Sequence, residues 1–330
     1  MKRLPFIDSI KGFAIICVVL GHVANGYIGE GFTHGIYHDV YNAVYAFHMP
    51  LFFMVSGFLF RRVYFSENGI RAERFRTQVI NLICLYFIYC LLLGGSKMFF
   101  GRYVVNPVTV KDLLLIPVRP VQHFWYLYVL VIYYCIFSRA FVYRQSKALL
   151  LVLTFGLSVA SHWIPAMVPC EIKRLLFNMF FFCLGTVLAD TDSVRKPKYL
   201  CFLLLPVIFA LYILFWNNEK NLNEILLVSS VLGTACSLFF WEVFRQYDLL
   251  GKNRILSFVG KYSLEIYLLH SFVLTPERTL FRRINISNDI VILLISTVTG
   301  VIIPILISVI CRKIGIHRFL FSPYKKKTAE

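Results

Sequence analysis

Charge is what this chain most lacks. Only 15% of its 330 residues are Asp, Glu, Lys or Arg, against about 25% in a soluble domain. With 58% hydrophobic residues and a mean hydropathy of +0.71, that shortage excludes an ordinary soluble enzyme and indicates a polytopic membrane protein. Other absences narrow the chemistry. No GxGxxG, P-loop, HExxH or GxSxG pattern occurs, so the usual nucleotide, zinc-protease and serine-hydrolase devices are missing. None of the nine cysteines stands in a CxxC pair. They lie mostly in apolar runs and read as small buried hydrophobes, so neither disulfides nor a metal site is expected. There is no internal repeat or low-complexity tract. No small-residue cleavage site follows the first apolar run, which Asp8 and Lys11 interrupt. That run is expected to stay as a membrane helix rather than leave as a signal peptide. Acids are scarce too, 17 against 34 basic residues, for a net charge of +17. The basic residues sit in short loops between apolar runs, where they orient helices rather than bind nucleic acid.

What is present is a series of about ten apolar runs long enough to cross a bilayer. They cover 5–25, 42–62, 78–98, 122–142, 147–164, 173–190, 199–216, 223–243, 255–275 and 289–311. The expected fold is all-α, a single 1–330 bundle of about ten transmembrane helices with a basic tail at 312–330. Most of the 34 basic residues fall on the N-terminal side of this alternation, which puts both termini in the cytoplasm. Lys97, Arg102, Lys111 and Arg119, between the third and fourth runs, fit that rule worst. The same alternation gathers His22, His34, His38, His48, His123, His162 and His270 in or near the outer half and leaves His317 inside.

Candidate chemistry begins in the first run. Lys11 and His22 share a helix face, about 16 Å apart along the axis, and Asp8 lies one turn before Lys11. Lys11 could simply snorkel and Asp8 could complement the helix dipole. A titratable His22 inside the span is harder to dismiss. In the second run, FHMPLFFMVSGFLF, Pro50 is expected to break a helix interior beside His48, while Ser56 and Gly57 offer a small packing face. HFWYLYVL, at 123–130, reads as an interfacial aromatic belt. GKYSLEIYLLH, at 260–270, holds Glu265 and His270, whose burial demands partners or a wet cavity. The loop 61–76 is rich in arginine. It either sets topology or receives a phosphate-bearing cytoplasmic donor through Arg61 and Arg62.

These stretches, in this order, resemble the acyltransferase-3 family of integral membrane acyltransferases, in its fucose 4-O-acetylase-like and polysaccharide O-acetyltransferase branch. IDSIKGFAIICVVLGH carries the family's basic residue followed, after ten positions, by His. That basic position is often Arg and is Lys11 here, which supplies charge without a planar fork. The resemblance implies acetyl transfer from cytoplasmic acetyl-CoA to a hydroxyl of a cell-surface or lipid-linked carbohydrate, by a multi-pass protein of the inner plasma membrane. The expected roles follow. Lys11, Arg61 and Arg62 hold the CoA phosphates. His22 is the general base or carries the acyl group. His48 or His270 orients it or stabilises the oxyanion, and Asp8 completes the polar stripe. A transporter or flippase of a glycan intermediate is the competing reading, since intramembrane ionisable groups and a Pro-broken helix also suit transport. Within acyl transfer, a succinyl or other acyl group remains open.

Overall fold

The computed structural model describes residues 4–31, 35–66, 69–101, 108–142, 146–165, 167–191, 198–216 and 226–324. His34, Arg102 and the basic end after Tyr324 lie outside the described residues. The described residues are helical nearly throughout. In order come α1 (Pro5–Ile28), α2 (Ile36–Tyr45), α3 (His48–Tyr64), α4 (Ala72–Phe99), α5 (Val110–Leu114), α6 (Trp125–Val142), α7 (Lys147–Ala160) and α8 (Cys170–Thr191). Then follow α9 (Leu204–Trp216), α10 (Leu226–Gln246), α11 (Asp248–Gly251), α12 (Arg254–Lys261), α13 (Ser263–Arg283), α14 (Asp289–Lys313) and α15 (His317–Phe321). A two-residue antiparallel hairpin, β1 (Phe65–Ser66) with β2 (Gly69–Ile70), pairs Phe65 with Ile70. Among the described residues, six helical stretches are long and apolar enough to cross a membrane: Pro5–Ile28, Ile36–Tyr64, Ala72–Phe99, Gln122–Phe141, Cys170–Thr191 and Asp289–Lys313. Lys147–Trp163 and Cys201–Ile213 are shorter apolar helices. The protein is an all-α, multi-pass membrane bundle.

Two expected spans are divided in the structure. The second run divides at Ala46–Phe47, so His48 opens α3 and Pro50 sits in its first turn. There the missing N–H costs nothing, because first-turn amides have no helical acceptor anyway. Pro50 is thus a helix starter rather than an interior break. The ninth run divides at Tyr262, and its second piece extends to Arg283. The added stretch carries Arg278 and Arg282, which pair with Glu30 at 2.7 and 3.0 Å.

The chain forms two compact units. The first comprises Met1–Ala14, Tyr45–Ala72 and Ile132–Gly260. Its core joins Ile7, Ile10, Leu51, Met54, Phe58 and Trp241, with Trp241 edge-on to Phe6 and Phe58. Helices in lipid gain little from apolar burial against one another, so close backbone approach has to supply the attraction. Glycines supply that approach here. A Cβ on Gly57 of α3 would strike the Phe182 carbonyl of α8, and one on Gly185 of α8 would strike the Met54 carbonyl of α3. Gly12 of α1 and Gly260 of α12 form the same reciprocal contact, against Leu256 and Asp8 carbonyls. Ser9 reinforces it, its hydroxyl donating to the Gly251 carbonyl at 3.0 Å.

The second unit comprises Ile15–Val44, Glu73–Val131 and Lys261–Glu330. Helices α13 and α14 pack along their length, and Gly300 of α14 admits Val19 and Leu274. Glu265, near the start of α13, accepts from Arg312 (3.1 Å) and lies 3.3 Å from His317 Nε2, with Ser308 at 3.4 Å. Its partners thus come from α14 and α15. Tyr37 donates to Asp289 at 3.0 Å and stacks on Tyr27.

Candidate active site

In the second unit three imidazoles meet. His22 comes from α1, His270 from α13, and His123 from the 3-10 turn Gln122–Phe124 that leads into α6. Ring centroids are 5.5 Å apart for His22–His123, 5.0 Å for His22–His270 and 4.6 Å for His123–His270. His123 and His270 are buried, and His22 is partly exposed. Local sequence sets each position. Gln122 holds a left-handed φ of 49°, a conformation non-glycine residues adopt at a cost and which often marks functional turns. It turns the chain immediately before His123. Upstream, Thr109 and Asp112 form a capping box at α5, with Thr109 Oγ1 to Asp112 Oδ2 at 2.6 Å. Those bonds hold the Asp112 carboxyl below its ordinary value.

Backbone carbonyls only accept, so they fix which ring nitrogens carry protons. His123 donates from Nε2 to the Tyr267 carbonyl (3.1 Å), and the Tyr267 hydroxyl returns a bond to the His123 carbonyl (2.5 Å). His270 donates from Nδ1 to the Ile266 carbonyl (3.0 Å). In neutral rings this leaves His123 Nδ1 and His270 Nε2 as acceptors. The Ser271 hydroxyl lies 3.2 Å from the first and 3.4 Å from the second. Its single proton serves one of them. The two buried rings therefore share one hydroxyl proton between them.

Ser271 also lines a cavity of about 440 Å³ in the same unit, bounded by α4 and α13. Pro276, inside α13, lines it too, and supplies no N–H for the Phe272 carbonyl one turn back.

The residues singled out from the sequence divide between the units. His22 and His270 come together as expected. His48 belongs to the first unit, buried and edge-on to Tyr45 at 4.6 Å. There too, Lys11 pairs with Asp8 at 3.3 Å. Arg61 pairs with Asp190 at 3.1 Å, which Lys147 also reaches at 2.7 Å, and the Arg61 guanidinium lies over Phe141. Arg62 lies over Phe58. Sequence reasoning missed three contributors. His123 was concealed in an aromatic stretch that reads as a membrane belt. Ser271 follows His270 directly but carries no signal by itself. Lys97 looked like a misplaced loop charge, whereas it is buried in the last turn of α4. Among the described residues no group of His, Cys, Asp and Glu forms a metal-ligating cluster.

The profile of the acyltransferase domain matches residues 4–309. The chain belongs to the acyltransferase-3 family. It is therefore an enzyme, an acyltransferase, and the histidine cluster falls within the matched region. Two curated proteins are similar to it, both named nodulation protein NolL. That of Sinorhizobium fredii is 24% identical over 291 residues, 81% of this chain and 76% of that protein. That of Mesorhizobium japonicum is 22% identical over 339 residues, 93% of this chain and 87% of that protein. No solved structure matches.

Proposed function

We propose that this acyltransferase is an O-acetyltransferase of the inner plasma membrane. It moves acetyl from cytoplasmic acetyl-CoA to a hydroxyl of a cell-surface or lipid-linked carbohydrate, through ten spans with both termini in the cytoplasm. The observation that carries this reading is the meeting of His22, His123 and His270, with Ser271 beside the latter two. His22, the more accessible ring, takes the proton of the acceptor hydroxyl as its oxygen attacks the thioester carbonyl. The new C–O bond forms, the C–S bond breaks, and the proton leaves with the CoA thiol. His270 orients His22 or stabilises the developing oxyanion. Lys11, Arg61 and Arg62 are assigned to the CoA phosphates, and Asp8 to fixing Lys11 in place.

The test is acetyl incorporation from labelled acetyl-CoA in membranes holding equal amounts of wild-type and His22→Ala protein. Loss of at least about 100-fold is expected, the usual effect of removing a general base. Unchanged incorporation would remove His22 from the mechanism.

A further inference from the structure

We propose that the cavity against Ser271 binds the phosphate of a lipid-linked acceptor, with Lys97 and Arg283 as its ligands. Calling the occupant an acceptor rests on the function proposed above; the phosphate site itself rests on four observations.

Lys97 lines the cavity and is only 6% exposed. Among the described residues no carboxylate pairs with it, and between Glu73 and Asp112 the chain holds no acid at all. Its charged neighbour is Arg278, another cation, whose own counter-ion is Glu30. An ammonium kept from water without a counter-charge is costly, and a bound anion removes that cost through charge-assisted bonds.

Arg283 also lines the cavity and is exposed. It offers the planar fork that suits phosphate, while Lys97 offers a point charge deeper in. The remaining walls are largely apolar: Leu93, Phe100, Phe272 and Leu280. Phe100 and Leu280 are each 53% exposed, and in a membrane protein such side chains face lipid. Two cations set in greasy walls describe an amphiphile with a phosphate head. Coenzyme A, polar along most of its length, does not match those walls. Finally, Ser271 joins this cavity to the imidazoles, so a sugar next to the phosphate would lie beside the reacting groups. A volume of about 440 Å³ falls in the range of small-molecule sites.

Binding of undecaprenyl phosphate, undecaprenol, phosphatidylglycerol and coenzyme A to the full-length protein in neutral detergent tests this. The comparison runs across wild type, Lys97→Met, Lys97→Arg and Arg283→Gln. Expected is at least tenfold tighter binding of undecaprenyl phosphate than of undecaprenol. Lys97→Met should lose that margin, Lys97→Arg should keep most of it, and Arg283→Gln, a surface change safe for folding, should reduce it. Equal binding of phosphate and alcohol, or indifference to both Lys97→Met and Arg283→Gln, overturns the site. Phosphatidylglycerol binding as tightly as undecaprenyl phosphate reassigns it to an ordinary membrane lipid and overturns the acceptor claim. Coenzyme A affinity that falls with Lys97→Met overturns it in favour of the donor. Because binding is read without turnover, a His22→Ala variant that still acetylates would sink the proposed function and leave the phosphate site standing.

Discussion

Ser271 has one proton and two imidazole nitrogens within reach. Removing the hydroxyl leaves both buried nitrogens without it while touching neither ring. For Ser271→Ala we expect kcat to fall roughly 10- to 100-fold, below the range for losing the base itself, with KM for acetyl-CoA unchanged and most activity kept in Ser271→Thr. Loss confined to KM, or an equal loss in the Thr variant, would refute the positioning role. Asp190 poses the opposite case. It already occupies Arg61 and Lys147. If Arg61 is to hold a CoA phosphate, Asp190→Asn should lower KM for acetyl-CoA, while costing under about 1 kcal/mol in stability because the pairs are partly exposed. An unchanged or raised KM would argue against Arg61 as a donor ligand. At this scale the sequence disclosed His22 and His270, because an ionisable group in an apolar run is conspicuous on its own. It did not disclose Ser271 or Lys97. A serine in a membrane helix is unremarkable until its neighbours are known, and a lysine near a helix end looks the same whether it snorkels or lines a cavity.

Helix contacts rest on the paired glycines more than on side-chain bulk. Gly185→Val places a Cβ where the Met54 carbonyl already lies. We expect a lowered unfolding temperature in detergent and a loss of about 1–3 kcal/mol or more, as for overpacking elsewhere. Gly156 serves as the control, since a Cβ there meets nothing; equal tolerance at both positions would show that α3 and α8 do not depend on close approach. Pro50→Ala should change stability by less than about 1 kcal/mol, against about 3 kcal/mol for a proline relieved from a helix interior. A larger change would contradict its place in the first turn of α3. The small residues in SGFLF and FFFCLG were readable as packing surfaces, though which helix met which was not. Boundaries failed where hydropathy and helicity disagree. The end of α13 is charged yet helical, and Glu30, far away in sequence, pairs with two of its arginines.

For the whole molecule, the alternation of charge predicts that both ends face the cytoplasm. Single cysteines introduced for Lys2 and Lys327 in a cysteine-free background should react with a membrane-impermeant maleimide only after the membrane is opened; labelling of either in intact cells would overturn that orientation. Composition alone gave the membrane class and the helical fold, since a chain so poor in charge has few ways to satisfy its backbone except helices. It could not give the division into two units, which depends on packing between distant segments of the chain. One detail of α13 bears on its stiffness. Pro276 supplies no N–H to the Phe272 carbonyl one turn back, in a segment whose residues line the same wall as Lys97 and Arg283. With one ladder bond fewer, the helix bends at this wall more cheaply than along the rest of its length.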